Sequence, residues 1–408
     1  MNLMKKNVLV VDDYQSMRSM LRRMLAAIGF EHIISVGTGE EALAALRAKR
    51  FDILVCDYNL GDGIDGQQLL EQARAEGVMT LSTVFVMVTA ESSNEMVMGA
   101  LEFAPDAYVS KPFTKDLLNA RIGRALRRRE PLVPVARALK TQGPAAALEA
   151  LNPLLAERPG NRLELLRIRA ELAFTKGDLE LSDATCCEAM EENPLAWALT
   201  QRGRVAEARR DVTAAESFYR ESMTLTPHFM AAHDRLAALC RQQGRTEEAL
   251  SVLRAALERS PKSLQRQRNL AQVAAKLGQY SLALPAWKRS IAIARQMGLP
   301  DAADYLGLIK GLVALGNFRE ARQSTKLMRR RCSDELQLDY WEMAARFWCL
   351  MPEDAAALSA LSEALDALLQ RAPVPKRAGL ALAEAVAHRS EIAHYPTLAV
   401  LYAQEDDA

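Results

Sequence analysis

Along the first quarter of the chain, short unbroken apolar runs alternate with stretches in which apolar residues recur every third or fourth position. The runs read "VLVVDD", "HIISVG", "FDILVCD", "TVFVMVTA" and "DAYVS". Residues 14–28, 39–49, 67–76 and 91–103 carry helical spacing between them, and a further helix begins at Thr114. Short apolar runs predict strands buried on both faces, and their alternation with helices predicts a parallel sheet wrapped by helices. In such a sheet, ligands sit beyond the carboxyl ends of the strands.

From about Pro131 the strands stop and alanine- and leucine-rich helical patterns take over. Pro159, Pro194, Pro227 and Pro261 follow one another at intervals of 35, 33 and 34 residues. Gly177, Arg210, Gly244 and Gly278 mark mid-unit turns, each followed five residues later by a small residue: Ser182, Ala215, Ala249 and Ala283. A constant period with the same internal marks predicts stacked helix pairs, each closed by a tight turn. The expected organisation is a doubly wound α/β domain over residues 1–130 and helical repeats over 131–334. Residues 335–408 stay helical but lose the phase, as further repeats or a cap. The link at residues 127–134 reads as a helix running into a proline. It has no glycine-serine spacer, so rigid coupling is expected.

Composition narrows the function. Lysine and arginine number 52 against 51 aspartates and glutamates, a balance that argues against general nucleic-acid binding. The basic triplets at 127–129 and 329–331 read as solvated charges that complement the helix dipole. Six cysteines without a CxxC pair and five histidines without HExxH argue against a disulfide framework or a structural zinc site. Neither a signal-peptide pattern nor a membrane-length apolar run is present, so a cytoplasmic location is expected.

The candidate chemistry lies at the strand ends. Asp12 and Asp13 close the first run, Asp57 the third and Thr89 the fourth, while Lys111 and Pro112 follow the fifth. Parallel strands deliver these groups to one edge, where three carboxylates repel one another unless a cation joins them. Magnesium suits an all-oxygen site with few carboxylates. An aspartate there can act as a nucleophile and form an aspartyl phosphate, with Lys111 neutralising phosphoryl charge. The string "VGTGEEA" imitates a dinucleotide fingerprint, but the acids at the first strand would repel a pyrophosphate.

Residues 5–128 with these motifs resemble the receiver domain of two-component response regulators, chemotaxis type. The stretch "MAAHDRLAALCRQQGRTEEALSVLRAALERSP" resembles the tetratricopeptide repeat. The resemblances imply a flavodoxin-like five-stranded sheet followed by an all-α superhelical solenoid. They further imply that Asp57 accepts a phosphoryl group from a sensor histidine kinase or phosphotransfer protein. Asp12, Asp13, Asp57 and the backbone carbonyl of Asn59 would hold magnesium, and Thr89 and Lys111 would bind the phosphoryl oxygens. Thr89 and Tyr108 would form a switch, and Asn59 with Glu91 would make the phosphate short-lived. No enzymatic activity beyond the receiver's own phosphorylation and dephosphorylation is implied, no membrane partner is expected, and a receiver homodimer is compatible. Repeat phase places Arg167, Arg204, Asp234, Arg241, Arg268, Lys276 and Lys310 in a groove for a protein partner. The drift toward basic residues points to an acidic segment of that partner, and a transcription or nucleic-acid role is the alternative output. The loop "DYNLGDGIDGQQLL" departs from the receiver pattern: it lacks a proline after Asp57, is one residue longer, and is expected to be mobile.

Overall fold

The computed structural model describes residues 3–61, 64–90, 105–157, 160–332, 337–351, 354–371, 374–389, 394–395 and 398–400. They belong to two compact units, Met1–Pro261 and Lys262–Ala408. In the first, strands β1 (Asn7–Val11), β2 (His32–Val36), β3 (Ile53–Asp57), β4 (Val84–Thr89) and β5 (Ala107–Ser110) form one sheet in the order β2-β1-β3-β4-β5. All pairings are parallel. This is the doubly wound, flavodoxin-like arrangement expected.

Helices α1 (Gln15–Ile28), α2 (Gly39–Ala48) and α3 (Gly66–Ala75) connect the strands, and a helix at Lys115–Arg129 follows β5. Their starts are set locally. Thr38 and Thr114 accept hydrogen bonds from the N–H groups of Glu41 and Leu117, and Asp65 with Gln68 forms a capping box. The helix expected at residues 91–103 lies outside the described residues. Helices on both faces explain why β3 and β4 are buried along their whole length. By contrast β2, expected to be buried on both faces, exposes His32 and Ile34 because it is a sheet edge.

Behind the sheet domain, the first unit continues as helix pairs: Val133–Gln142 with Pro144–Ala156, Arg162–Lys176 with Leu179–Ala189, Ala196–Ala208 with Val212–Leu225, and Met230–Gln242 with Thr246–Arg259. The predicted turn positions are left-handed, with φ of 88° at Gly177, 62° at Arg210 and 72° at Gly244. Each lets the chain reverse within about two residues. The small residues that follow, Ser182, Ala215 and Ala249, are fully buried, so the second helix lies flat on the first. In the second unit, Leu264–Lys276 pairs with Tyr280–Gln296 and Ala302–Ala314 with Phe318–Arg331, with Gly278 and Gly316 at the left-handed turns. Helices Leu338–Trp348, Ala355–Arg371 and Lys376–Ala387 follow. None of the described helices is long and apolar enough to cross a membrane.

At the junction the helical path is as expected, while the reading of the arginines is corrected. A short 3-10 turn, Glu130–Leu132, joins the Lys115–Arg129 helix directly to Val133–Gln142, so the helical path has no spacer. The arginines beside it are not all solvated. Arg129 donates from Nε to Asp106 Oδ1 (2.7 Å) and pairs with Glu164 (3.0 Å), while Arg128 pairs with Glu164 at 2.8 Å. In the other triplet, Arg329 reaches Asp339 and Glu342. Acids from other elements engage these arginines, which their position at a helix end does not reveal.

Candidate functional site

The site is built by strand ends. Asp12 follows β1, Asp57 ends β3, and parallel pairing of Val11 with Cys56 places the two ends side by side. One carboxylate oxygen from each of Asp12, Asp13 and Asp57 lies within 4.8 Å of the other two. Asp12 and Asp57 are buried, with relative exposures of 0% and 6%. The turn that presents the pair of acids is held by Arg18, whose guanidinium donates to the carbonyls of Asp12 (2.7 Å) and Asp13 (3.0 Å). That role was not foreseen, although Arg18 stands one turn into α1, where a side chain can reach back to the strand end.

Lys111 closes the site. Its Nζ donates to Asp57 Oδ2 at 2.8 Å and Asp12 Oδ2 at 3.3 Å. The Lys111 N–H donates to the carbonyl of Thr89 (2.7 Å), which ties the lysine to the end of β4. Burial pushes the Asp12 carboxyl above its ordinary range and Asp57 adds repulsion, against the pull of the Tyr14 N–H and Lys111. For Lys111, burial pulls the ammonium down, yet the hydrogen bond and charge of Asp57, with Asp12 behind, carry it above its ordinary value.

These residues fit a hard divalent cation. Asp13 Oδ1 is buried and has no hydrogen-bond partner among the described residues, so this acid keeps a carboxylate oxygen without a donor. One carboxylate oxygen from each of the three side chains makes an all-oxygen donor set of the kind magnesium takes. Asn59 lies two residues beyond Asp57, its side chain turned to the N–H of Gly61 (3.3 Å). Gly61 adopts φ 74° directly beside Asp13, where an added Cβ would stand 3.5 Å from Asp13 Oδ2. Leu60 and Ile64, on the described part of this loop, are buried.

Thr89 is buried at the end of β4, next in register to Ser110. Tyr108 sits in β5 opposite Met87, its hydroxyl buried and without a hydrogen-bond partner among the described residues. Burial, with a smaller contribution from Tyr58, pushes its phenol up to about 12. Thr89 and Tyr108 thus lie on adjacent strands, as the switch reading requires. Glu91 lies outside the described residues.

The groove residues are far less free than repeat phase implied. Arg204 pairs with Glu171 (2.6 Å) and stacks over Phe174, Arg268 is bidentate to the buried Asp304, and Lys310 pairs with Glu384. Arg167, Asp234 and Arg241 also have partners, while Lys276 is exposed. The basic drift toward the C-terminal repeats is therefore answered within the second unit: Asp304 and Glu384 neutralise Arg268 and Lys310.

Comparison with known proteins agrees with both halves. The response regulator receiver domain model matches residues 8–123, and a tetratricopeptide repeat model matches residues 230–273. Chemotaxis protein CheY of Pseudomonas aeruginosa is 34% identical over 121 residues, covering 30% of this chain and 96% of that protein. Chemotaxis protein CheY-3 of Vibrio cholerae is 31% identical over 128 residues, covering 31% of this chain and 97% of its own. Among solved structures, the Vibrio cholerae chemotaxis protein CheY4 aligns with 30% of this chain and 98% of its own, at 28% identity and a TM-score of 0.28.

Proposed function

We propose a function from one premise: the chain belongs to the CheY-like response-regulator receiver family through its N-terminal domain and carries tetratricopeptide repeats behind it. It is a phosphorylation-controlled protein-binding module. Asp57 is the phosphoacceptor, a histidine kinase or phosphotransfer protein is the donor, and the repeats deliver the output to a protein partner. The observation that carries this reading is the placement of Asp57 between the Lys111 ammonium and two further acids, one with a buried oxygen lacking a donor.

In the transfer, an Asp57 carboxylate oxygen forms a bond to phosphorus as the bond from phosphorus to the donor nitrogen breaks, and the electron pair leaves with that nitrogen. Lys111 already stands 2.8 Å from Asp57, so it can neutralise a phosphoryl oxygen with no shift of its backbone. Asp12 and Asp13, with Asp57 and the Asn59 carbonyl, would hold magnesium, which when bound supplies the positive charge that lets three acids and a phosphoryl group share one site. Thr89 is placed to follow a phosphoryl oxygen, and Tyr108 to report that movement along β5.

Protein binding is favoured over nucleic-acid binding as the output because basic residues (52) and acidic residues (51) nearly balance and a tetratricopeptide repeat model matches residues 230–273. The test is incubation of the full chain with acetyl phosphate and magnesium. One alkali-labile phosphoryl group is expected in wild type and none in Asp57→Asn, and hydrogen exchange over residues 105–176 should change on addition of beryllofluoride. A label that persists in Asp57→Asn removes Asp57 from the account.

A further inference from the structure

A second polar site lies far from Asp57, against the opposite end of β5. Between the Lys115–Arg129 helix and the helix pair that begins at Arg162, a cleft of about 740 Å³ opens beside Asp106 and Ala107. That volume is within the range of about 300–1,000 Å³ usual for small-molecule sites. Arg121, Arg124 and Arg127 line it from one helix face, since residues three apart on a helix are neighbours. All three are exposed, and none makes a hydrogen bond or ion pair with a described residue.

The acids of the cleft are largely taken. Asp106 is held by Arg129 and by the N–H of Phe85, and Glu164 by Arg128 and Arg129. Only Glu157 remains among the lining acids to face three guanidinium groups. The helix dipole accounts for arginines in the last turn of the helix, but Arg121 and Arg124 sit in its middle, where that term has faded. Three like charges beside one recess raise the local potential for an anion. Leu154, Leu163 and Leu165 also line the cleft, beside Glu157, Asn161 and Glu164, and Leu163 is 52% exposed although it is a large apolar side chain.

We propose that this cleft binds a small phosphate-bearing organic ligand of nucleotide size. Its phosphates lie on Arg121, Arg124 and Arg127, and its ring rests against Leu154 and Leu163. Planar guanidinium forks suit phosphate oxygens, and several together suit a polyphosphate. Because Arg128 lines the same cleft while pairing with Glu164, a bound polyanion competes with Glu164 for that arginine. Occupancy would then loosen the bond between the receiver and the helix pair that begins at Arg162 without touching Asp57.

The test uses the full chain, with adenosine triphosphate and inorganic pyrophosphate as probes, in a magnesium-free buffer, followed by calorimetry and thermal melting. Expected are salt-sensitive binding of the nucleotide, weaker binding of pyrophosphate, and a loss of about tenfold or more in an Arg121→Gln, Arg124→Gln, Arg127→Gln triple variant. Leu163→Ser should weaken the nucleotide but not pyrophosphate, and Asp57→Asn should bind as wild type. No nucleotide binding at millimolar concentration, binding unchanged in the triple variant, or equal affinity for both probes would each overturn the assignment. Phosphorylation of Asp57 by acetyl phosphate in the triple variant reports independently that the protein is folded.

Discussion

Arg129 and Asp106 form a buried ion pair at 2.7 Å, with side-chain exposures of 14% and 2%. Asp106 uses its second oxygen to accept from the backbone N–H of Phe85 (2.8 Å), and Arg129 continues to Glu164 in the repeats. The pair therefore connects β4, the residue before β5, the last helix of the receiver and the helix pair that begins at Arg162. Tyr108 stands two residues beyond Asp106, in the strand that Asp106 immediately precedes. A displacement of β5 thus has a short polar route to the repeats.

Removing Asp106 leaves the Phe85 N–H without its acceptor and Arg129 with Glu164 and the Leu81 carbonyl as its remaining partners. Asp106→Ala should destabilise the first unit by about 2 kcal/mol, whereas Glu164→Gln, at the more exposed end of the route, should cost less than about 1 kcal/mol. Urea unfolding followed by circular dichroism distinguishes the two. Equal losses would show that the route is not organised around Asp106.

Arg210 is a non-glycine residue held at φ 62° in a turn that uses glycine in the neighbouring units. Replacing it by glycine should relieve backbone strain and raise stability by about 0.5–1 kcal/mol, while Gly244→Ala should lower it by a similar amount. Paired thermal melts of the two variants provide the check, and a loss of stability in Arg210→Gly would contradict it.

The Tyr108 hydroxyl is buried without a partner among the described residues, so Tyr108→Phe should stabilise the unphosphorylated protein by about 1 kcal/mol at neutral pH. Its phenol, at about 12 in the folded protein against an ordinary 10, holds its proton more tightly than in the unfolded chain. The stability this contributes is complete below pH 10 and is lost as the pH rises through about 12. The advantage of Tyr108→Phe should accordingly widen above pH 10 in denaturant titrations, and a constant gap would place the ring in solvent.

Much of this molecule is legible in its sequence for identifiable reasons. The runs at β1, β3 and β4 are apolar at successive positions because helices cover both faces, and the acids stand out because charge interrupts those runs at the buried end of each strand. The turns at Gly177, Gly244 and Gly278 are legible because a left-handed residue is needed at a fixed place in every unit. The partners of Arg128, Arg129, Arg204, Arg268 and Lys310 are not, since each acid comes from another helix or loop tens of residues away. Periodicity identifies the face on which a charge lies, but not which neighbour neutralises it. Arg18 was hidden differently: its bonds go to backbone carbonyls, which carry no side-chain signature.

The central claim is that Asp12, Asp13 and Asp57 hold a divalent cation where Asp57 can take a phosphoryl group, and calorimetric titration of magnesium into the full chain tests it most directly. A single magnesium site is predicted in wild type, weakened about tenfold or more in Asp13→Asn, whose buried oxygen now lacks any donor. Magnesium binding of equal strength in Asp13→Asn, or none in wild type at millimolar concentration, would contradict the account.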